Sequence, residues 1–188
     1  MSTIPDDPNA QIAARVRIER EGRAWTLEQL AARSGVSRAM ISKIERREAS
    51  PTAAILVRIA GAFDLTLGGL LARAEEPRGP VVRGTDQPRW RDPASGYLRR
   101  QICARPDHPV ELVRIELPAG ARVGLPASSY SRIRQLVWVM KGRLVIQEGA
   151  VRRELAAGDC LAFGAPADTT FANESAHACT YLVAIARS

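Results

Sequence analysis

Two kinds of hydrophobic pattern divide the chain. Between residues 9 and 71 apolar side chains recur at the three- and four-residue spacing of a helix's buried face. From about residue 97 onward they alternate or cluster in short runs. In the first part Ile12, Val16 and the turn from Ile18 to Arg20 mark one helix. Thr26 and Gln29 fit a capping box that opens a second, which stops at Ser34-Gly35, where glycine accepts the left-handed conformation. Ser37 caps a third, whose buried stripe is Ile41 and Ile44 and whose outward residues are Arg38, Ala39, Ser42 and Lys43. Ser50-Pro51 predicts the start of a fourth, carrying Ile55, Leu56, Ile59 and Phe63, and residues 66–71 make a last short helix.

In the second part, runs at 111–117, 135–140, 143–146, 160–163 and 180–186 are separated by turn signals at Gly120, Gly142, Gly149, Gly158 and Pro166. Many short strands at this spacing predict an antiparallel sandwich or barrel. Glu75-Glu-Pro-Arg-Gly-Pro80 has the composition of a linker. The reading is therefore two domains, an all-α bundle over 9–72 and an all-β unit over 95–187, with 73–94 as linker and lead-in.

Two short helices joined by a tight glycine-containing turn, inside a bundle of this size, form the helix-turn-helix pattern. The run from Leu27 to Arg46 resembles the Cro/repressor-like (XRE) family, with Ala31, Gly35, Val36, Ile41 and Ile44 at its small, turn and packing positions. In that arrangement the second helix enters the major groove with its N-terminal residues at the base edges. Arg38, Ala39, Ser42 and Lys43 are then the candidate base contacts. Arg38 suits the two acceptors of guanine, and Ala39 offers a methyl contact. Thr26, Gln29, Ser37 and Arg46 are placed for phosphates. The resemblance also implies an ion pair between Arg20 and Glu45, clipping the first helix to the recognition helix.

Charge agrees with such a partner without proving it. Lys+Arg number 27 against 20 Asp+Glu, a net +7, and nearly all of the basic residues are arginine, which suits bidentate contacts to phosphate and guanine. Around the candidate recognition helix Arg33, Arg38, Lys43, Arg46 and Arg47 face only Glu45. The 188 residues contain 46% apolar and 25% charged side chains, which excludes wholesale disorder. No apolar run is long enough for a membrane helix, and the first residues lack the pattern of a secretory signal, so a cytoplasmic location is expected. Cys103, Cys160 and Cys179 are scattered and odd in number, which argues for reduced thiols over a disulfide framework or zinc finger. An oxidant-sensing thiol is the alternative.

Residues from Leu155 to Pro166 resemble the second conserved stretch of the cupin superfamily, and Leu117–Gly120 with Leu136–Gly142 resemble its first. The resemblance implies a cupin-type (jelly-roll) barrel. Enzymatic cupins hold a divalent metal with histidines and a glutamate. Here the glutamate position is Gln135, residues 127–131 contain no histidine, and the last ligand position is Phe171, while His108 and His177 match neither place. The expectation is a barrel with no metal, no cofactor and no catalysis. Counting by two from Gln135 places Val137 and Val139 on its face and Leu136, Trp138 and Met140 opposite. The candidate ligand-binding set is Gln135, Val137, Phe171 and Asn173 inside, with Ser129, Arg132 and Arg134 near the rim. Residues from Trp90 to Arg100 resemble a lead-in segment of XRE–cupin regulators, and are assigned to architecture.

Head and barrel together imply a transcription regulator that binds a double-stranded operator as a homodimer and responds to a small-molecule effector. Two rivals remain: a metal-dependent cupin enzyme tethered to a DNA-binding head, and a ligand-blind dimeric repressor whose barrel is filled by its own side chains.

Overall fold

The computed structural model describes residues 8–71, 81–103, 108–131 and 133–187. The predicted linker at 75–80 and the candidate rim residue Arg132 lie outside the described residues.

The N-terminal part holds five helices: α1 (Pro8–Gly22), α2 (Leu27–Ser34), α3 (Arg38–Glu45), α4 (Ala53–Ala62) and α5 (Leu67–Leu71). Their local signals are those of the sequence. The Thr26 hydroxyl accepts from the Gln29 amide while the Gln29 side chain accepts from the Thr26 amide, a complete capping box. Gly35 closes α2 at φ 66°, and the Ser37 hydroxyl caps α3 by accepting from the Met40 amide. The core of this head is Val16, Leu30, Ile41, Leu56, Ile59 and Phe63, all fully buried. Each such side chain contributes about 1.5–3 kcal/mol on leaving water.

Two sequence expectations are corrected here. Ile18 is 56% exposed and faces away from the core that Ile12 and Val16 enter. The fourth helix is capped by Thr52 rather than Ser50, because the Thr52 hydroxyl is in reach of the Ile55 amide and Pro51 is packed into the protein ahead of the cap.

The described residues of the remainder hold ten strands: β1 (Arg89–Arg91), β2 (Leu98–Cys103), β3 (Val110–Leu117), β4 (Arg122–Leu125), β5 (Ile133–Lys141), β6 (Arg143–Glu148), β7 (Val151–Ala156), β8 (Cys160–Ala162), β9 (Thr169–Ala172) and β10 (Cys179–Arg187). They form two antiparallel sheets, β1-β2-β3-β10-β5-β8 and β4-β9-β6-β7. From β3 onward this is jelly-roll strand order, the architecture implied by the cupin resemblance. Period-two alternation holds along β5, with Val137 and Val139 fully buried and Leu136, Trp138 and Met140 between 44% and 46% exposed. The lead-in is part of this domain: β1 pairs with β2, so the first sheet begins at Arg89.

Head and barrel meet along α4 and α5. Helix α4 packs on β4 and on the 3-10 turn Ala127–Tyr130. Asp92, in the β1–β2 turn and only 3% exposed, accepts from the Ala53 amide at 2.8 Å and so completes the N-terminus of α4 from the other domain. Its second carboxylate oxygen holds the turn through the amide and hydroxyl of Ser95. Farther along the seam, the Thr66 hydroxyl caps α5 through the Gly69 amide and lies 2.8 and 2.9 Å from the two carboxylate oxygens of Glu111 on β3. Gly68 fits this seam because a Cβ there would come within 2.5 Å of Glu111 Oε2 and 2.6 Å of Gln101 Oε1.

Candidate functional site: an outward helix and an interdomain cavity

Helix α3 is held in place by an ion pair and presents its polar face to solvent. Arg20 on α1 donates from Nε and one terminal nitrogen to the two oxygens of Glu45, at 2.7 and 2.8 Å, and from the other to the Trp25 carbonyl. Glu45's hydrogen bond raises the pKa of this guanidinium and keeps it charged. This is the clip implied by the XRE resemblance. Ile41 and Ile44 point into the core, and Arg38, Ala39 and Lys43 are exposed, with Ser42 half-buried beside them.

Two arginines of this surface rest on neighbouring carboxylates. Arg38 reaches Glu28 at 2.5 Å, and Arg46 makes a two-point contact with Glu48 while donating to the Ser42 hydroxyl. Glu48's pKa is lowered by the Arg46 hydrogen bond, and Glu28's by its own backbone amide, then Thr26, with Arg38 contributing less. Exposed pairs of this kind stabilise by only about 0–1 kcal/mol, so a phosphate or a base edge can replace the carboxylate at little cost. Thr26 and Ser37 sit at the N-termini of α2 and α3, where free backbone amides favour anions. The Gln29 carbonyl oxygen is occupied by the capping box, leaving its amide nitrogen to donate.

The second feature is a cavity of about 560 Å³ whose walls come from both domains. The head contributes residues from the end of α2, from α4 and from the α4–α5 turn, including Arg58, Gly61, Asp64 and Leu65. The barrel contributes the inner faces of β2, β3, β5, β9 and β10 together with the turn at Ser128–Ser131. A row of aromatic rings runs through this interior: Tyr130 stacks near Phe163, Phe163 meets Phe171, and Phe171 stacks on Tyr181, with centroids 6.0–6.2 Å apart. Burial pushes the hydroxyls of Tyr130 and Tyr181 above their ordinary pKa.

The structure places the candidate ligand residues unequally. Ser129, Gln135 and Phe171 line the cavity. Arg134 alternates to the outer face of β5 and is exposed, which removes it from the interior. Val137 is inward but packed in the core beyond the cavity wall. Asn173 is spent on architecture: its amide nitrogen donates to the carbonyls of Leu117, Pro118 and His177, and its oxygen accepts from Ser175. Sequence reasoning missed Arg99, an arginine of β2 that points into the barrel and is 7% exposed. The alternation of Leu98-Arg99-Arg100-Gln101 gives no sign of which arginine turns inward.

A cupin-type metal would need nitrogen and oxygen donors at Gln135 and around Phe171. An amide, a phenyl ring and a tyrosine do not make such a set, and among the described residues no group of three or more His, Cys, Asp or Glu side chains comes together. His108 and His177 are both exposed. The thiols of Cys103, Cys160 and Cys179 are all free, and burial pushes that of Cys179 up to about 11. No helix of the described residues is long and apolar enough to cross a membrane.

An outward helix on a capped, ion-paired bundle, followed by a jelly-roll barrel, defines a two-domain helix-turn-helix protein. Residues 16–70, which span the helices of the head, match the helix-turn-helix family HTH_3. Over 41 residues it is 54% identical to the HTH-type transcriptional regulator SutR of Escherichia coli (strain K12), a match covering 22% of this chain and 23% of that protein. The full two-part fold is shared with an HTH_3 family transcriptional regulator from Vibrio cholerae, at a TM-score of 0.78 and 21% identity, covering 95% of this chain and 96% of that one. A looser likeness, with a TM-score of 0.42 and 17% identity, joins 48% of this chain to 95% of a Cupin_2 domain of an XRE family transcriptional regulator from Enterobacter cloacae.

Proposed function

We propose that the chain is a cytoplasmic, sequence-specific DNA-binding transcription regulator that works as a homodimer and takes a small-molecule effector into its metal-free barrel. The observation that carries this reading is the cavity shared by the DNA-binding head and the barrel. A molecule lodged there touches the turn between α4 and α5, where Thr66 meets Glu111 of the barrel, while Asp92 holds the far end of α4 at Ala53. An effector that binds one seating of the head more tightly than another shifts operator affinity by that difference, and by nothing if the two affinities are equal.

On the DNA, Arg38, Ala39, Ser42 and Lys43 read base edges, and Thr26, Gln29, Ser37 and Arg46 hold phosphates. Arg38→Ala costs about 1–3 kcal/mol and relaxes preference at one base pair. An operator recovered by in-vitro selection and titrated by fluorescence anisotropy tests this. Equal weakening on every sequence would make Arg38 a phosphate contact instead.

Dimerisation is assigned to the outer face of the first sheet. Leu136, Trp138 and Met140 form an exposed apolar stripe on β5, flanked by Leu182 and Ala184 of β10. A stripe of this size on one sheet face suits a second copy of the chain, and two copies would span half-sites roughly 34 Å apart. Trp138→Glu is expected to give a monomer by analytical ultracentrifugation. A dimer that persists with unchanged affinity would move the interface elsewhere.

A further inference from the structure

Resting on the effector reading, we propose that the cavity takes a small organic anion, a carboxylate on a compact apolar or aromatic body, anchored by Arg99. Arg99 projects from β2 into the barrel and lines the cavity at its buried end. Its Nε has no hydrogen-bond partner, and the one bond its guanidinium donates goes to a neutral acceptor, Gln101 Oε1, at 3.0 Å. Arginine does not give up its proton in proteins, so a full positive charge stands buried, with the Glu111 carboxylate near enough to act on it but no carboxylate in ion-pair contact among the described residues. Burial pulls its pKa down, while Tyr97, Glu111 and Tyr181 act on it from farther off. Glu111 faces the head, with both carboxylate oxygens against Thr66.

The surroundings complete a recognition site. Gln135 and the Tyr130 hydroxyl, both in the cavity wall, lie close enough to act on each other, but neither Gln135 Nε2 nor the Tyr130 oxygen completes a hydrogen bond of good geometry. A carboxylate accepts two parallel bonds from one guanidinium, and its outer lone pairs can accept from an amide and a phenol. Of the three arginines in the wall, Arg33 and Arg58 are exposed and Arg99 is buried, so one buried positive charge matches one negative charge, which favours a carboxylate over a doubly charged phosphate. The row from Tyr130 to Tyr181 supplies flat apolar surface for the rest of the molecule, and about 560 Å³ is the size of an ordinary small-molecule pocket.

The test uses the full chain and matched probes: benzoate, 3-phenylpropionate and hexanoate, each beside its own neutral amide, read by thermal shift and calorimetry. At least one carboxylate should raise the melting temperature while its amide does not. Arg99→Met should weaken that carboxylate by about tenfold or more, and the empty variant should melt at or above the native protein, because an unpartnered buried charge has been removed. An Arg99→Met protein that melts lower or fails to fold would make Arg99 structural and overturn the assignment. So would the failure of every carboxylate to bind. Binding of the amides in place of the carboxylates overturns the anion but keeps a ligand-holding barrel. A carboxylate that binds through Arg99 yet leaves operator affinity unchanged keeps the anion site and overturns the effector reading.

Discussion

The head and the barrel interior treat arginine in opposite ways. In the head Arg20 is matched to Glu45, Arg38 to Glu28 and Arg46 to Glu48, each paired with a carboxylate of the head itself. In the barrel Arg99 donates only to a neutral amide, and Ser129, Gln135 and Tyr130 hold buried polar atoms short of full hydrogen bonding in the same cavity wall. Folded proteins leave few buried polar groups unsatisfied, and a cluster of them around one cavity supports the ligand proposed for it. The surface pairs of the head are exchangeable for DNA at little cost, whereas the buried charge of the barrel is the anchor proposed for an entering anion.

The contrast breaks most sharply at the half-buried pair of Arg20 and Glu45. Arg20→Ala leaves Glu45 without its two-point partner and is expected to destabilise the head by about 1.5–3 kcal/mol, measured by urea unfolding. DNA binding should fall with it. An unchanged unfolding midpoint would show that the clip contributes nothing. Next comes the seam: Asp92→Ala removes the acceptor for the Ala53 amide and for Ser95, and should cost about 1–3 kcal/mol. Amide exchange at the start of α4 would speed up first, and equal acceleration everywhere would contradict a local cap. Thr26→Ala should cost about 1 kcal/mol through the capping box, seen as a lower melting temperature. The smallest effect is expected at Arg46→Ala, with a melting temperature close to the native one because its partner Glu48 is exposed, while operator binding weakens alike on all sequences.

Much of the head was legible in the sequence because its signals are local. Thr26, Gln29, Gly35 and Ser37 act within one helical turn of where they stand, and Ile41 and Ile44 follow from spacing alone. The exception is the start of α4, where Thr52 is joined by Asp92, forty positions on in the chain and invisible to any local pattern. In the barrel, alternation along β5 fixed which residues point inward, so Gln135 could be placed from its neighbours. Short strands such as β1, β4 and β9 carry too few residues for a period to show, and they were missed. Arg99 and Asn173 were misjudged for a related reason. Whether a buried polar residue lines a cavity or ties down a turn depends on partners from distant strands, as the contacts of Asn173 with Leu117 and His177 show.

The most direct test of a ligand-controlled DNA-binding protein is a single titration. The full chain is titrated onto its selected operator by fluorescence anisotropy, with and without the carboxylate that most raises its melting temperature, using the native protein and Arg99→Met side by side. A sensor shifts operator affinity fivefold or more in the native protein, about 1 kcal/mol of coupling, and shows no shift in Arg99→Met. Identical curves with and without a carboxylate that demonstrably occupies the barrel would contradict the coupling of head to cavity.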